Sequence, residues 1–306
     1  MKRMFAQSVI ALLCLGFMVA SPLALASSAA DPDGTPQLLT DLQFNSPGLS
    51  APGWTFGSQN GGAIAVSSTV PPSVNGDSSF ALEANYPAST TGGQYVWADY
   101  SVAALTTEDI YIEFWAKMPD AKEGCKFLKI FGQRSTADGF ANATLGANYT
   151  GGDQAAIVNV EFGDGSSILN DGQNAIFLNG THPSWIGRSY GTATVITPQP
   201  DGWSGSNWGT SWHHFRVHVK FNSGTTSANE VPNGEIYVEI DGKVYIDATG
   251  LYNRNPANGP INYIELGGWA QTDPSSFDVW YDNVTISTGG FLSEPLPMPP
   301  TNVNVS

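Results

Sequence analysis

The sequence predicts an all-β protein, a two-sheet antiparallel jelly-roll sandwich, and three observations carry that prediction. Glycine (34 residues) and proline (20) are abundant while charged residues make up only 13% of the chain, a composition that favours turns over helices. Segment after segment alternates apolar and polar residues with a period of two, as strands with one buried face do. Beyond the first 26 residues no stretch carries the 3.6-residue apolar stripe of an amphipathic helix.

The chain opens with Lys2 and Arg3, runs through an almost wholly apolar stretch from Val9 to Ala20, is broken by Pro22 and reaches Ala24-Leu25-Ala26. A positive start, a short apolar run and small residues before a cleavage point make a secretory leader. The run is too short to span a bilayer, which takes about 20 apolar residues. Residues 1–26 are therefore read as a signal peptide cleaved after Ala26. The protein is expected to be secreted, whether periplasmic, on the cell surface or extracellular. Residues 27–36 form an N-terminal extension, 37–290 one sandwich domain, and 291–306 a Pro-rich tail of extended character. No later stretch is apolar enough for membrane insertion.

Cys14 falls within the leader, which leaves Cys125 without an internal partner. Stability must then come from the core rather than from disulfides. Twelve basic against 27 acidic residues give a net charge of −15, and loss of Lys2 and Arg3 with the leader deepens it by two. Such a chain repels nucleic acid, so no nucleic-acid partner is expected.

The strands follow in order. Ile110 to Lys117 sets Ile110, Ile112, Phe114 and Ala116 on one face and Tyr111, Glu113, Trp115 and Lys117 on the other. Phe127 to Phe131 is a second strand. Ile157 to Phe162 is a third, with Asn159 and Glu161 opposite Val158 and Val160. His214 to Phe221 and Phe277 to Ile286 continue the pattern. Glu235–Ile240 and Lys243–Ile246 flank Asp241-Gly242, a pair suited to a two-residue turn with positive φ. That duty explains Asp241, which with Glu239 would otherwise look like a catalytic carboxylate pair. Residues 163–210, rich in Gly, Asn, Ser and Trp, read as long loops with short strands at Ala175–Leu178 and Thr192–Ile196. Loops on a rigid scaffold often carry binding residues.

Four segments together have a familiar form: Trp212-His-His-Phe-Arg-Val-His-Val-Lys220, Gly234-Glu-Ile-Tyr-Val-Glu-Ile-Asp-Gly-Lys-Val244, Ile264-Glu-Leu-Gly-Gly-Trp269 and Asp278-Val-Trp-Tyr-Asp-Asn-Val-Thr-Ile286. Over Ile110 to Ser287 the chain resembles the concanavalin A-like lectin/glucanase superfamily, especially its laminin-G-like and polysaccharide-lyase-like members. The resemblance implies a two-sheet jelly roll whose concave sheet and loops hold carbohydrate. It also implies a structural calcium ion, bound where an Asp on the last strand meets an acidic residue near the first. Here those are Asp282 and Asp41, and hard oxygen ligands are plentiful. Two family motifs are missing. No Glu-x-Asp-x-x-Glu strand of the glucanases is present, nor the Tyr-x-Lys-x-Gly-x-Tyr strand of alginate-lyase-like members. Enzymatic activity is therefore not carried over.

The residues themselves point to carbohydrate recognition. Sugar rings offer apolar faces and hydroxyl edges, which aromatic platforms flanked by amides and carboxylates suit; the ordinary role of large aromatics is to fill the core. Tyr95, Trp97, Tyr111, Trp115, Asn159 and Glu161 are the candidates for a binding face, with Trp185 and Trp269 as a rim. A glycosidase needs two carboxyl groups about 5–9.5 Å apart. Asp278 and Asp282, on one strand face, sit about 13 Å apart. A lyase acting on a uronate polymer needs a cation or amide for the carboxyl group and a proton-moving side chain. Lys129, Gln133, Arg134 and His182 supply those types. His213, His214 and His218 suggest zinc, but zinc is rejected, because on a strand His214 and His218 are about 13 Å apart. The leading expectation is a secreted polysaccharide- or glycan-binding protein. The alternatives are a polysaccharide lyase working by β-elimination, and a structural or adhesive surface module with no sugar site.

Overall fold

The computed structural model describes residues 28–30, 32–44, 47–69, 80–90, 93–117, 125–132, 157–162, 174–177, 184–189, 192–196, 211–224, 229, 231–251, 260–270 and 275–293. Along the chain its strands are β1 (Gln37–Leu42), β2 (Trp54–Gln59), β3 (Ala63–Ser67), β4 (Ala81–Tyr86), β5 (Gln94–Ser101), β6 (Asp109–Lys117), β7 (Cys125–Gly132) and β8 (Ile157–Phe162). There follow β9 (Asn174–Phe177), β10 (Ser184–Ser189), β11 (Thr192–Ile196), β12 (Trp212–Lys220), β13 (Gly234–Ile240), β14 (Lys243–Leu251), β15 (Ile261–Ala270) and β16 (Phe277–Thr288). No helix among the described residues is long and apolar enough to cross a membrane.

Two 8-stranded sheets result. Sheet 1 has the order β14-β13-β12-β6-β16-β4-β3, with β1 also paired to β16. Sheet 2 has the order β11-β10-β9-β8-β7-β15-β5-β2. Every pairing is antiparallel except β8 with β9. Distant strands become neighbours, β6 lying between β12 and β16 and β15 between β7 and β5. This is the predicted jelly-roll sandwich.

The period-two alternation decides which side chains meet. Sheet 1 contributes Ile110, Ile112, Phe114, Phe215, Val217, Val238 and Tyr281 to the core; sheet 2 contributes Val96, Ala98, Leu128, Ile130, Ile264 and Leu266. Phe114 and Phe215 stack with centroids 4.9 Å apart at 5°. Truncating either to Ala would cost about 3–5 kcal/mol through lost transfer energy and the cavity left behind. At the hairpin between β13 and β14, Asp241 and Gly242 take φ of 52° and 76°, as the Asp-Gly pair predicted. The Asp241 carboxylate also accepts the His214 backbone N–H at 2.8 Å and meets His213 Nδ1 at 2.6 Å.

The N-terminal extension and the start of the C-terminal tail are part of the packed body. Ala29 is fully buried. Ser28 Oγ and the Ala29 N–H donate to the two oxygens of Asp247 on β14. At the other end, Phe291 lies against Tyr111, Tyr237 and the Arg216 guanidinium. Both segments run over the outer face of sheet 1.

Candidate functional site

The outer face of sheet 2 follows from the same alternation. Val96 and Ala98 turn into the core, so Tyr95, Trp97 and Asp99 turn out; on β7 the pair Lys129 and Phe131 turn out, and on β15 Glu265. Register then lines up Asp99, Glu265, Lys129 and Asn159 as a row across β5, β15, β7 and β8. Lys129 is 2% exposed, and Asp99 and Glu265 are wholly buried. Lys129 Nζ donates to Glu265 Oε1 at 2.7 Å and to Tyr95 Oη at 2.6 Å, and Tyr95 Oη donates to Glu265 Oε1 at 2.7 Å. Taking a single ion out of water costs several kcal/mol, so a buried pair is rarely a source of net stability. The trio is therefore a feature of this face that stability alone does not explain.

Trp97 sits beside this trio, its ring 5.6 Å from that of Tyr95. It pairs with Gly57 on one side and Gly267 on the other. A Cβ at Gly57 would lie 2.3 Å from Trp97 Cζ2, so only glycine lets the indole lie over β2. Gly267 has φ +82°, where a side chain would also meet the Val96 carbonyl at 2.5 Å. The Trp97 Nε1–H is buried and has no hydrogen-bond partner among the described residues, a costly state for a donor.

The structure splits the predicted binding residues between two faces. Tyr95 and Trp97 lie together on sheet 2, where Asn159 pairs with Lys129, Glu161 with Lys126, and Trp269 with Tyr95. Trp185 is in β10, paired with Ile176 and Ile196. Tyr111 and Trp115 belong to β6 and face outward from sheet 1, on the far side of the sandwich. They cannot share a glycan with Trp97, because two periodic strands can be read for faces but not for which sheet each joins. Of the lyase candidates, Lys129 lies at the centre of sheet 2, while Gln133, Arg134 and His182 fall outside the described residues. Asp41 is exposed, accepts from Gln43 and pairs with Thr285; Asp282 is fully buried and accepts the Asn283 N–H. Asp41 thus stands opposite a residue three positions beyond Asp282 on β16.

Asp99 and Glu265 are the site residues that sequence reasoning passed over. Their signal was a lone acid between apolar neighbours on a strand, in Trp97-Ala-Asp99 and Ile264-Glu-Leu266. β15 also keeps the spacing of the alginate-lyase-like strand as Tyr263-x-Glu265-x-Gly267-x-Trp269, with Glu where that motif has Lys and Trp where it has Tyr. Lys129 of the neighbouring strand lies against Glu265, its Nζ 2.7 Å from Oε1.

The outer face of sheet 1 carries a second polar row. Glu113, Arg216 and Glu239 are in register across β6, β12 and β13. Glu113 Oε1 contacts His214 Nε2 at 3.0 Å and accepts from Ser293 Oγ; Arg216 donates to Glu239 at 3.2 Å and to the Ser293 carbonyl at 3.1 Å. Burial works against the Glu113 carboxylate, but hydrogen bonds from His214 and Ser293 and the charges of His214 and Arg216 outweigh it and lower its pKa. Glu113 Oε2 and Arg216 Nε lack hydrogen-bond partners among the described residues and face each other as an ion pair at 3.9 Å. Desolvation, reinforced by Glu239, drives the pKa of Tyr237 upward, and desolvation with the charge of Asp109 does the same for Tyr111.

Comparison with solved structures supports the same architecture. The chain is similar to the endo-beta-1,4-glucuronan lyase from the fungus Trichoderma reesei, with 15% identity, a TM-score of 0.50, and 81% of this chain and 96% of that one covered. It is similar also to alginate lyase vAL-1 from Chlorella virus, with 12% identity, a TM-score of 0.50, and 82% and 100% covered. At such identity the likeness shows the fold, which is the concanavalin A-like jelly roll. No family model and no curated protein matches the sequence.

Proposed function

We propose that the protein binds an extracellular polysaccharide on the outer face of sheet 2. The observation that carries this reading is the buried Lys129–Tyr95–Glu265 trio beside Trp97. It combines a flat indole, an N–H donor without a partner among the described residues and fixed charges on the central strands of one sheet. Structures of the same fold include lyases of glucuronan and alginate, which fits a glycan partner. Secretion through the leader of residues 1–26 belongs to the same reading.

A glycan array or polysaccharide-gel electrophoresis tests the proposal. Wild-type protein should be retarded by at least one polysaccharide. Trp97→Ala should abolish that retardation, with Trp97→Phe as the variant that keeps the ring and the fold. Trp115→Ala, on the opposite face, should leave it intact. Retardation that survives both Trp97 variants would sink the assignment to sheet 2.

One geometric fact favours a lyase as the second reading. The Tyr95 phenol accepts from an ammonium and donates to a carboxylate, so it can pass its proton to Glu265 while Lys129 stabilises the oxygen left behind. β-Elimination requires such a proton mover next to the sugar. New ultraviolet absorbance from unsaturated product on glucuronan or alginate, lost in Tyr95→Phe, would support it. Binding without any such absorbance returns the site to recognition alone.

A further inference from the structure

We propose that Asp33, Asp109 and His218 form a site for one divalent ion of zinc type, which fastens the N-terminal segment to sheet 1. Their ligand atoms all lie within 4.8 Å of one another, although the residues come from the N-terminal segment, β6 and β12. None takes part in the sheet 2 site.

The imidazole of His218 carries the argument. It is fully buried and lies flat on Tyr111, with centroids 3.9 Å apart at 5°. Its Nδ1 is 2.5 Å from the Ala29 carbonyl oxygen. A carbonyl only accepts, so Nδ1 holds a proton and donates it. Its Nε2 is 2.5 Å from Asp109 Oδ1, which is also an acceptor. Two acceptors cannot face each other so closely unless a cation, either a second proton or a metal ion, lies between them. A ring held through one nitrogen by a backbone carbonyl, with the other turned to a carboxylate, is how metal-binding histidines are oriented.

The surrounding groups choose between proton and metal. Asp33 gives one oxygen to Lys220 Nζ at 2.7 Å, and Lys220 also reaches Glu235 at 3.2 Å. The second oxygens of Asp33 and Asp109 have no protein partner among the described residues. Two carboxylates from separate segments, Asp33 and Asp109, converge with the buried imidazole of His218, a donor set that suits a divalent ion better than a proton shared by one pair. One imidazole with two carboxylates suits zinc better than calcium, which takes six to eight oxygens. With bonds of about 2.1 Å, ligand atoms on a tetrahedral ion sit roughly 3.4 Å apart. Nε2 and Oδ1 would then separate by about 1 Å on loading. Asp33 is exposed, so solvent can fill the fourth position.

Isothermal titration of the chelator-treated, leader-free chain with zinc chloride tests this, with metal content per chain read by mass spectrometry. One zinc per chain is expected, with uptake accompanied by release of about one proton, seen as a dependence on buffer ionisation heat. Cobalt(II) should give the visible absorbance of a tetrahedral site. Asp33→Asn changes an exposed residue and should fold normally, yet weaken zinc binding by about tenfold or more, as lost metal-site groups do. Asp109→Asn should abolish it. No stoichiometric uptake, or uptake unchanged in both variants, would assign Nε2 to a proton and overturn the proposal.

Discussion

The two outer faces of the sandwich use the same materials to different ends. Sheet 1 carries His214, Arg216, His218 and Lys220 on one face of β12, and the last three each hold a terminal segment: Arg216 the Ser293 carbonyl, His218 the Ala29 carbonyl, Lys220 the Asp33 carboxylate. His214 reaches the same tail through Glu113, which accepts from Ser293. Sheet 2 instead joins Lys129, Tyr95 and Glu265 across three neighbouring strands, with a Trp97 N–H that has no partner among the described residues. Charge on a sheet face therefore has two meanings. Where the chain's own ends cover it, it is a clasp. Where the charges bond within the sheet beside the Trp97 indole, the proposed function makes a ligand their partner.

The largest expected effect sets one lysine against the other. Lys129→Met would leave the Glu265 carboxylate buried without its ammonium, at a cost of about 3–5 kcal/mol. Lys220→Met breaks a pair whose lysine is 24% exposed, and should cost at most about 1 kcal/mol. Urea unfolding of both variants reads the difference. Equal losses would mean that the two faces are energetically alike and would dissolve the comparison.

Gly57→Ala comes next. The added methyl group would push the Trp97 indole off β2, with an overpacking cost of about 1–3 kcal/mol. Tryptophan fluorescence and near-ultraviolet dichroism should change, and polysaccharide retardation should weaken with them. If binding is unaffected while the spectrum moves, Trp97 is packing and not platform.

A smaller change probes the clasp. Phe291→Ala removes the ring that packs on Arg216, Tyr111 and Tyr237, and a half-buried aromatic is worth about 1–2 kcal/mol. Hydrogen exchange should speed up at the end of β16 and in the tail, while β5, β7 and β15 keep their protection. Loss of protection in sheet 2 would show that the tail supports the whole sandwich.

Much of this fold could be read from alternation alone. β6, β12, β13 and β16 fall where their periodic residues put them, and Asp241-Gly242 forms its turn, because each depends on chain neighbours. β1 to β4 carry no such signal: their apolar residues are diluted by Gly, Ser and Thr, and their place is fixed by strands far along the chain. The site was legible in its parts and not in its assembly. Tyr95, Trp97 and Lys129 could be named as candidates, yet nothing local says that Lys129 lies beside Glu265, 136 positions away. Tyr111 and Trp115 carry the same local signal as Tyr95 and Trp97 and belong to the opposite face. His218 shows the same limit, since its histidine neighbours on β12 are too distant for a shared ion while Asp109 on β6 is in reach.

The finest test of the comparison is pH. Glu113 ties His214, Arg216 and Ser293 together, and its pKa in the folded protein lies below its ordinary value of 4.5. A depressed carboxylate adds stability that is fully present above the unfolded value and is lost as pH falls through the folded value. Wild-type stability should therefore hold above pH 4.5 and decline beneath it, partly through Glu113. Glu113→Gln keeps the shape, removes the titration and should flatten that part of the decline. The tail should respond first, since Ser293 bonds to the carboxylate itself: in acid its amides should exchange faster in the wild type, with a smaller acid-dependent change in the variant. Sheet 2 lies across the core from this group, so the Lys129–Tyr95–Glu265 row should show no difference between the two proteins. Identical acid profiles would remove Glu113 from the clasp and leave Arg216 and Phe291 to hold the tail.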